Sequence, residues 1–149
     1  MTETDSAARK LAEAATASVL DGDDAYRRLG MTLTEVDRDH AVIEMLVRDD
    51  MLNGVDVGHG GFVFCLADTV CAVVSNSRNQ KAVLQSASIT LTAPAHVGDL
   101  LTASGCRSAG EGRVGVIDAT VTNQNGETVA LFRGSTYEIR GAHVNEGGD

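Results

Sequence analysis

The sequence is poor in aromatic residues and proline, and it contains no long hydrophobic run. Aromatic side chains make up 3% of the 149 residues and there is one proline, yet 43% of the residues are hydrophobic. Such a composition is typical of a globular protein and argues against a disordered chain. No apolar run approaches the roughly 20 residues that span a bilayer. At this length, one domain with a substantial core is the simplest expectation.

Basic residues are also scarce, which limits the class of partner. Twelve Lys and Arg residues face 21 Asp and Glu residues, so the formal net charge is −9. A nucleic-acid-binding protein needs a basic face, which this balance does not favour. Residues 1–5 are acidic and lack the basic-then-apolar order of a secretory signal. We therefore expect a cytoplasmic protein that binds neither nucleic acid nor membrane.

Cysteine and histidine are too few and too scattered to indicate a metal or redox site. The three cysteines form no Cys-x-x-Cys pair, and Cys65 and Cys71 fall on opposite sides of a helix. Small apolar packing residues are the simplest interpretation of both. The four histidines show no ligand spacing such as His-x-x-x-His. We expect no metal ion and no resident cofactor.

The hydrophobic pattern predicts two helices, a hairpin, a buried helix and four strands, in that order. Helices are expected at 7–20 and 25–29, a hairpin at 32–47 that turns at 37–39, a buried helix at 62–74, and strands at 83–92, 100–108, 113–123 and 128–139. Residues 110–112 and 125–126 are the expected turns of the last three strands. The order predicts an α+β fold in which a curved antiparallel sheet wraps around a long central helix.

The predicted organisation has three parts: an N-terminal helical segment at 1–29, the main domain at 30–140 and a tail at 141–149. The central helix is apolar nearly all round, the pattern of a helix buried on every side. One sheet cannot cover all of it, so a second copy related by a two-fold axis is the simplest way to bury the rest. We expect at least a dimer.

A glycine-rich loop before this helix carries the residues best suited to chemistry. Asn53 and His59 lie in the loop, Gly60 and Gly61 follow, and Asp68 lies within the helix. Burying a carboxylate is costly unless something compensates, so Asp68 is either paired structurally or positioned for reaction. The other residues also have structural interpretations: a tight turn, a helix cap and close packing.

The order of these motifs resembles a known signature. Residues 53–54, 59–61 and 66–68, followed by 88–94 and 98–101, are similar to hotdog-fold acyl-CoA thioesterases. Within the 4-hydroxybenzoyl-CoA thioesterase superfamily, the similarity is greatest to the phenylacetyl-CoA thioesterase group. It spans roughly residues 30–139. The resemblance implies a hotdog fold, thioester hydrolysis, a place in phenylacetate degradation, and a homodimer or a homotetramer built as a dimer of dimers.

The resemblance also assigns roles to the loop and helix residues. It makes Asp68 the general base that activates water, or the nucleophile, and makes the Gly60 amide the donor to the thioester carbonyl. Asn53 and His59 would position the carbonyl, the water or the loop. Elementary chemistry agrees, because a helix N-terminus presents unpaired N–H donors to a developing oxyanion. Burial also raises the pKa of a carboxyl group and makes it a better base near neutral pH.

Helix geometry separates the two central groups. Gly60 and Asp68 are eight residues apart, which is about 12 Å along a helix. One carbonyl cannot be within hydrogen-bonding reach of the first and also close to the second. Two antiparallel copies could bring Gly60 of one chain near Asp68 of the other, and the resemblance implies the same shared site.

The anionic CoA needs local cations in a chain of negative net charge. Arg107 and Arg113 flank the 110–112 turn, which in related thioesterases lies near the nucleotide, although Glu111 would repel phosphate. Ser86 is the candidate for a hydroxyl that holds the water, and Lys81 and Arg133 are weaker cationic candidates.

The leading interpretation is an acyl-CoA thioesterase that hydrolyses phenylacetyl-CoA or hydroxyphenylacetyl-CoA to the free acid and CoA. The CoA belongs to the substrate, so no separate cofactor is expected. Two alternatives stay open at this point: a non-catalytic acyl-CoA-binding sensor, and a hotdog hydratase or dehydratase.

Overall fold

The computed structural model describes residues 3–145, and its elements follow the predicted order. The helices are α1 (Glu3–Asp21), α2 (Asp24–Arg28) and α3 (Gly60–Asn76), with a short 3₁₀ turn at Asp49–Met51; the strands are β1 (Thr32–Asp37), β2 (His40–Leu46), β3 (Ala82–Leu91), β4 (Leu100–Glu111), β5 (Val114–Thr122) and β6 (Thr128–Glu138). The ends of the predicted segments, residues 1–2 and 146–149, lie outside the described residues.

The six strands form one antiparallel sheet in the order β1-β2-β4-β5-β6-β3. Helix α3 packs against β2, β3, β4, β5 and β6, so the sheet curves around it as the sequence predicted. Strands β1 and β3 are the two edges. On β3, Val83 and Leu91 are about half exposed, so this edge presents apolar surface along with unpaired backbone groups.

The core lies between α3 and the concave face of the sheet. It is formed by apolar side chains of the helix and by inward-facing residues of the strands, among them Leu66, Val70, Ile43, Leu101 and Ile117, all fully buried. Two strand glycines allow the helix to approach the sheet closely. A Cβ at Gly105 would lie 2.4 Å from Val70 Cγ1, and one at Gly134 would lie 2.7 Å from Cys71 Sγ.

The main departure from the sequence prediction is the turn between β4 and β5. Strand β4 continues to Glu111, three residues beyond its predicted end, and the turn falls at Gly112 and Arg113. A register shift between Arg107 and Ala109 accounts for the difference, because a β-bulge accommodates an extra residue while pairing continues. Gly112 has φ +59°, so glycine suits this turn.

Helix α1 and the residues that follow β6 both contact α3. Helix α1 buries Ala12, Ala15 and Leu20 and contacts α3 and β1. After β6, the backbone N–H groups of His143 and Val144 each donate to Asn79 Oδ1 at 3.0 Å. In the stretch 3–145, no helix is long and apolar enough to cross a membrane.

Candidate active site

Asn53 holds the loop that precedes α3. Its Oδ1 accepts hydrogen bonds from the Val55 and Val57 N–H groups at 3.0 and 3.2 Å, and its own N–H donates to the Val57 carbonyl at 2.8 Å. The side-chain oxygen of Asn53 therefore has the turn-forming role that the sequence offered as an alternative. The side-chain nitrogen has no hydrogen-bond partner within residues 3–145, so Asn53 keeps two N–H donors for a ligand.

His59 is the N-cap of α3. Its Nδ1 accepts a hydrogen bond from the Gly61 N–H at 2.9 Å, so in the neutral ring the proton is on Nε2. The imidazole is exposed and its ring centroid lies 6.2 Å from that of Phe62 in an edge-to-face arrangement. The structure thus supports the capping interpretation of His59 and leaves an outward-facing Nε2–H donor.

The first turn of α3 leaves one amide without a partner. The Gly61 N–H is taken by His59 Nδ1, and the Phe62 N–H donates to the His59 carbonyl at 3.0 Å. The Gly60 N–H has no hydrogen-bond acceptor in residues 3–145. Among these three donors, Gly60 is the one left for a ligand, and it lies at the positive end of the helix dipole.

A pocket of about 300 Å³ opens beside this amide. Its walls come from the loop before α3, the first turn of the helix, the residues that follow β3, and Val129 of β6. None of these lining residues is charged, and Val57, Val63, Leu91 and Pro94 make much of the wall apolar. A Cβ at Gly60 would lie 2.6 Å from Leu91 Cδ1, so glycine keeps this side of the pocket open.

Asp68 is half-buried on α3 and does not line that pocket. Burial raises the pKa of its carboxyl group, and the negative charge of Asp23 raises it further. No hydrogen-bond partner for its carboxylate is present in the described part of the chain, so the structural-carboxylate alternative finds no support within one chain. A carboxyl group in this setting is suited to take a proton near neutral pH.

The neighbouring thiols are poor nucleophiles. Burial, followed by the charge of Asp68, raises the pKa of Cys71 to about 12 and also raises that of Cys65. Thiols with raised pKa values carry little thiolate at neutral pH. Of the described residues, no three His, Cys, Asp or Glu side chains are grouped so that they could hold a metal ion.

The predicted CoA-binding residues are dispersed, and none lines the pocket at Gly60. Arg107 has a side chain only 10% exposed, with Nη1 3.8 Å from Glu138 Oε1, so it is committed to a contact within the fold. Arg113 is exposed at the β4–β5 turn. Ser86 is exposed at a bulge of β3, opposite Ser135.

Sequence reasoning missed two contributors to the site. The segment that follows β3, from Thr92 to Ala95, forms one wall of the pocket, and Asp23 acts on Asp68 from the N-terminal segment. Residues 88–94 entered the sequence analysis only as part of the resemblance, and Asp23 gave no signal, because the roles of both depend on distant segments that meet in the fold. The Asn53 and His59 contacts, by contrast, are local and were expected as alternatives.

Comparisons with known proteins indicate the family of the chain. Residues 57–130 match the family model described as Thioesterase superfamily. An Escherichia coli K12 protein described as acyl-coenzyme A thioesterase PaaI is 38% identical over 130 residues, which cover 87% of this chain and 92% of that protein.

Superposition on solved structures indicates the fold. The structure of the E. coli PaaI protein from the phenylacetic acid degradation operon superposes with a TM-score of 0.88 at 35% identity, covering 90% of this chain and 97% of that one. A Streptococcus mutans protein bound to acetyl-CoA superposes with a TM-score of 0.73 at 28% identity, covering 75% of this chain and 90% of that one. The hotdog fold expected from the sequence is confirmed.

Proposed function

The chain belongs to the thioesterase superfamily, and we propose that it hydrolyses phenylacetyl-CoA or a hydroxylated phenylacetyl-CoA to the free acid and CoA. The observation that carries the proposal is the pairing of two features on one helix. A single amide without a partner, that of Gly60, opens α3, and a half-buried carboxylate, Asp68, follows two turns later. An oxyanion donor and a general base are the two groups that hydrolysis of a thioester by water requires.

The reaction needs both groups at one carbonyl. Water attacks the thioester carbon and Asp68 takes its proton, while the Gly60 N–H donates to the developing oxyanion. The tetrahedral intermediate then expels the CoA sulfur as the carbonyl reforms, and the proton held by Asp68 can pass to the leaving thiolate. Asn53, through its side-chain N–H groups, and His59, through Nε2–H, would orient the carbonyl at the helix N-terminus.

A second copy of the chain would supply the missing half of each site. The two groups lie about 12 Å apart along α3, and Asp68 is absent from the pocket beside Gly60. A two-fold axis that sets two α3 helices antiparallel brings Gly60 of one chain to Asp68 of the other. The exposed, partly apolar edge of β3 supports self-association. A homodimer completes the site, and a homotetramer would contain two such dimers.

The substrate assignment rests on the pocket and on the relatives. An uncharged, largely apolar pocket of about 300 Å³ beside the Gly60 amide suits an aryl group on the acyl side of the thioester. The name of the E. coli relative supports an acyl-CoA substrate, and the operon of its solved structure supports a phenylacetyl group. The acetyl-CoA bound by the S. mutans protein supports CoA recognition by this fold.

The test is a panel of thioesters assayed by release of free thiol. We expect phenylacetyl-CoA and hydroxyphenylacetyl-CoA to give larger kcat/KM values than benzoyl-CoA and long fatty acyl-CoA. A fatty acyl preference would contradict the aryl assignment. No turnover of any member, together with measurable CoA binding, would instead indicate a non-catalytic binder, and hydration of an enoyl-CoA would indicate a hydratase.

A further inference from the structure

Half of the basic residues of this acidic protein form no ion pair within residues 3–145. Six of the twelve Lys and Arg side chains form ion pairs: Arg9, Arg27, Arg48, Arg78, Arg107 and Arg133. The other six form none within residues 3–145: Lys10, Arg28, Arg38, Lys81, Arg113 and Arg140. Three of these six, Lys81, Arg113 and Arg140, lie close together.

The three cations surround the start of β3 and the end of β6. Arg113 and Arg140 line one pocket of about 300 Å³ with Gly141. The Lys81 side chain adjoins it, since its Cε and Nζ lie 3.7 and 3.8 Å from the position of a Cβ on Gly141. The acid in this pocket, Glu138, is already close to Arg107. Glu111, the acid that the sequence placed beside Arg113, does not line this pocket. The patch is therefore positive within a chain of net charge −9.

Backbone hydrogen bonds fix this arrangement. The Lys81 N–H donates to the Gly141 carbonyl at 3.0 Å, and the Ile139 N–H donates to the Lys81 carbonyl at 2.8 Å. The Glu138 N–H donates to the Arg113 carbonyl at 2.8 Å. These bonds involve main-chain atoms only, so the three cationic side chains are free to move toward a ligand. Removing one of them also leaves the backbone contacts in place.

A groove that Lys81 lines runs along α3 from one turn after Asp68, although Asp68 itself does not line it. It has a volume of about 550 Å³ and lies between the end of α1 and α3, bordered by Ala72 and Asn76, one and two turns after Asp68. Lys81 and His143 are also among its lining residues. Asp23, which also lines the groove, lies near enough to Asp68 for their charges to interact. The groove is thus lined both by acids, Asp23 and Asp24, of which Asp23 is near the base, and by one cation of the patch, Lys81.

We propose that Lys81, Arg113 and Arg140 bind the phosphate groups of the CoA substrate, with the pantetheine arm lying in the groove that leads to Asp68. This inference rests on the proposed thioesterase function and names the cations that such a substrate needs. The polarity of the groove sets one direction, because Asp23 repels phosphate and Lys81 attracts it. The arm is long enough to cover the helical turns between them. Arg107, committed to Glu138, is not part of this site.

The experiment compares two substrates that differ only in the nucleotide. Phenylacetyl-CoA carries the phosphates, and phenylacetyl-pantetheine lacks them. Lys81→Ala, Arg113→Ala and Arg140→Ala should each lower the ratio of kcat/KM for the first to that for the second by about threefold to tenfold, as expected for one cation–phosphate contact. The double variant Lys81→Ala/Arg140→Ala should lower it further, and Arg140→Lys should restore part of it.

Arg38→Ala is the matched control, because Arg38 is also outside the six ion pairs but lies at the β1–β2 turn. Its ratio should equal that of the wild type. An unchanged ratio in all three patch variants, or an equal loss on both substrates, would overturn the inference. Titration calorimetry with CoA gives a second readout that needs no turnover: affinity should fall in the patch variants alone. If the wild type binds CoA through these residues but hydrolyses nothing, the proposed function fails and this site stands.

Discussion

The two ends of the reactive stretch of α3 differ in every property that matters for hydrolysis. At Gly60 the helix offers a bare amide and an uncharged pocket. At Asp68 it offers a half-buried carboxylate beside a groove with charged walls. The first region suits an oxyanion and an aryl group, and the second suits a water molecule and the arm of CoA. Under the proposed function, one chain carries two unlike half-sites, and each lacks what the other supplies.

The largest effect should follow from disabling the Asp68 half. Asp68→Asn keeps the size of the side chain but removes the proton acceptor, so kcat should fall by about 10²- to 10⁴-fold. Asp21→Asn, which removes an exposed carboxylate at the end of α1, is the control and should leave kcat unchanged. A steady-state thiol-release assay measures both. Near wild-type turnover by Asp68→Asn would remove the base from the account.

The Gly60 half can be disabled at its amide alone. Proline is favoured at the first position of a helix, and His59 already has the extended backbone (ψ 128°) that a following proline requires. Gly60→Pro therefore removes the N–H while preserving α3. Gly60→Ala places a Cβ against Leu91 as well but keeps the N–H.

The difference between these two variants isolates the donor. We expect Gly60→Pro to have a kcat about 10²- to 10³-fold below that of Gly60→Ala, the usual cost of losing one oxyanion donor. Equal losses of kcat in the two variants would mean that the added Cβ causes the loss by displacing Leu91 into the pocket. The amide would then have no role in the reaction.

A smaller effect, specific to the Asp68 half, should appear in the pH dependence of kcat/KM. Burial and then Asp23 raise the pKa of Asp68, so kcat/KM should fall with acid at a pH above the ordinary range of aspartate. Asp23→Asn keeps a side chain able to cap α2 but removes the charge. Asp23→Asn should move the acid limb of the pH profile to lower pH, because Asp68 then binds its proton less tightly. A profile that does not move would exclude Asp23 as a contributor.

The smallest effect is on stability, and it should again appear at the Asp68 half only. A carboxyl group whose folded-state pKa is raised costs stability as pH rises from its unfolded pKa through its folded pKa. Asp68→Asn should therefore raise the melting temperature at neutral pH, with no gain at a pH below the unfolded pKa. Melting curves over this pH range measure it. A melting temperature lowered at neutral pH would indicate a structural role for the carboxylate.

Much of the fold was predictable because its signals are local. The apolar run of α3, the alternation of β2 and the Asn125-Gly126 turn each specify an element from a few neighbouring residues. The extension of β4 to Glu111 was not predicted, since a bulge leaves no distinct pattern. Within the site, the order of Asn53, His59, Gly60 and Asp68 was readable along the chain. The ion pair of Arg107 and the gathering of Lys81 with Arg140 depend on strands that meet only in the folded sheet.

The shared site is the central claim, and mixed dimers test it most directly. Gly60→Pro chains and Asp68→Asn chains, each inactive alone, are combined and the heterodimer is purified with two different tags. If each site uses Gly60 of one chain and Asp68 of the other, one of the two sites is intact, and the heterodimer should show half the wild-type kcat per dimer. A heterodimer as inactive as both parents would place the two groups in the same chain's site and contradict the account.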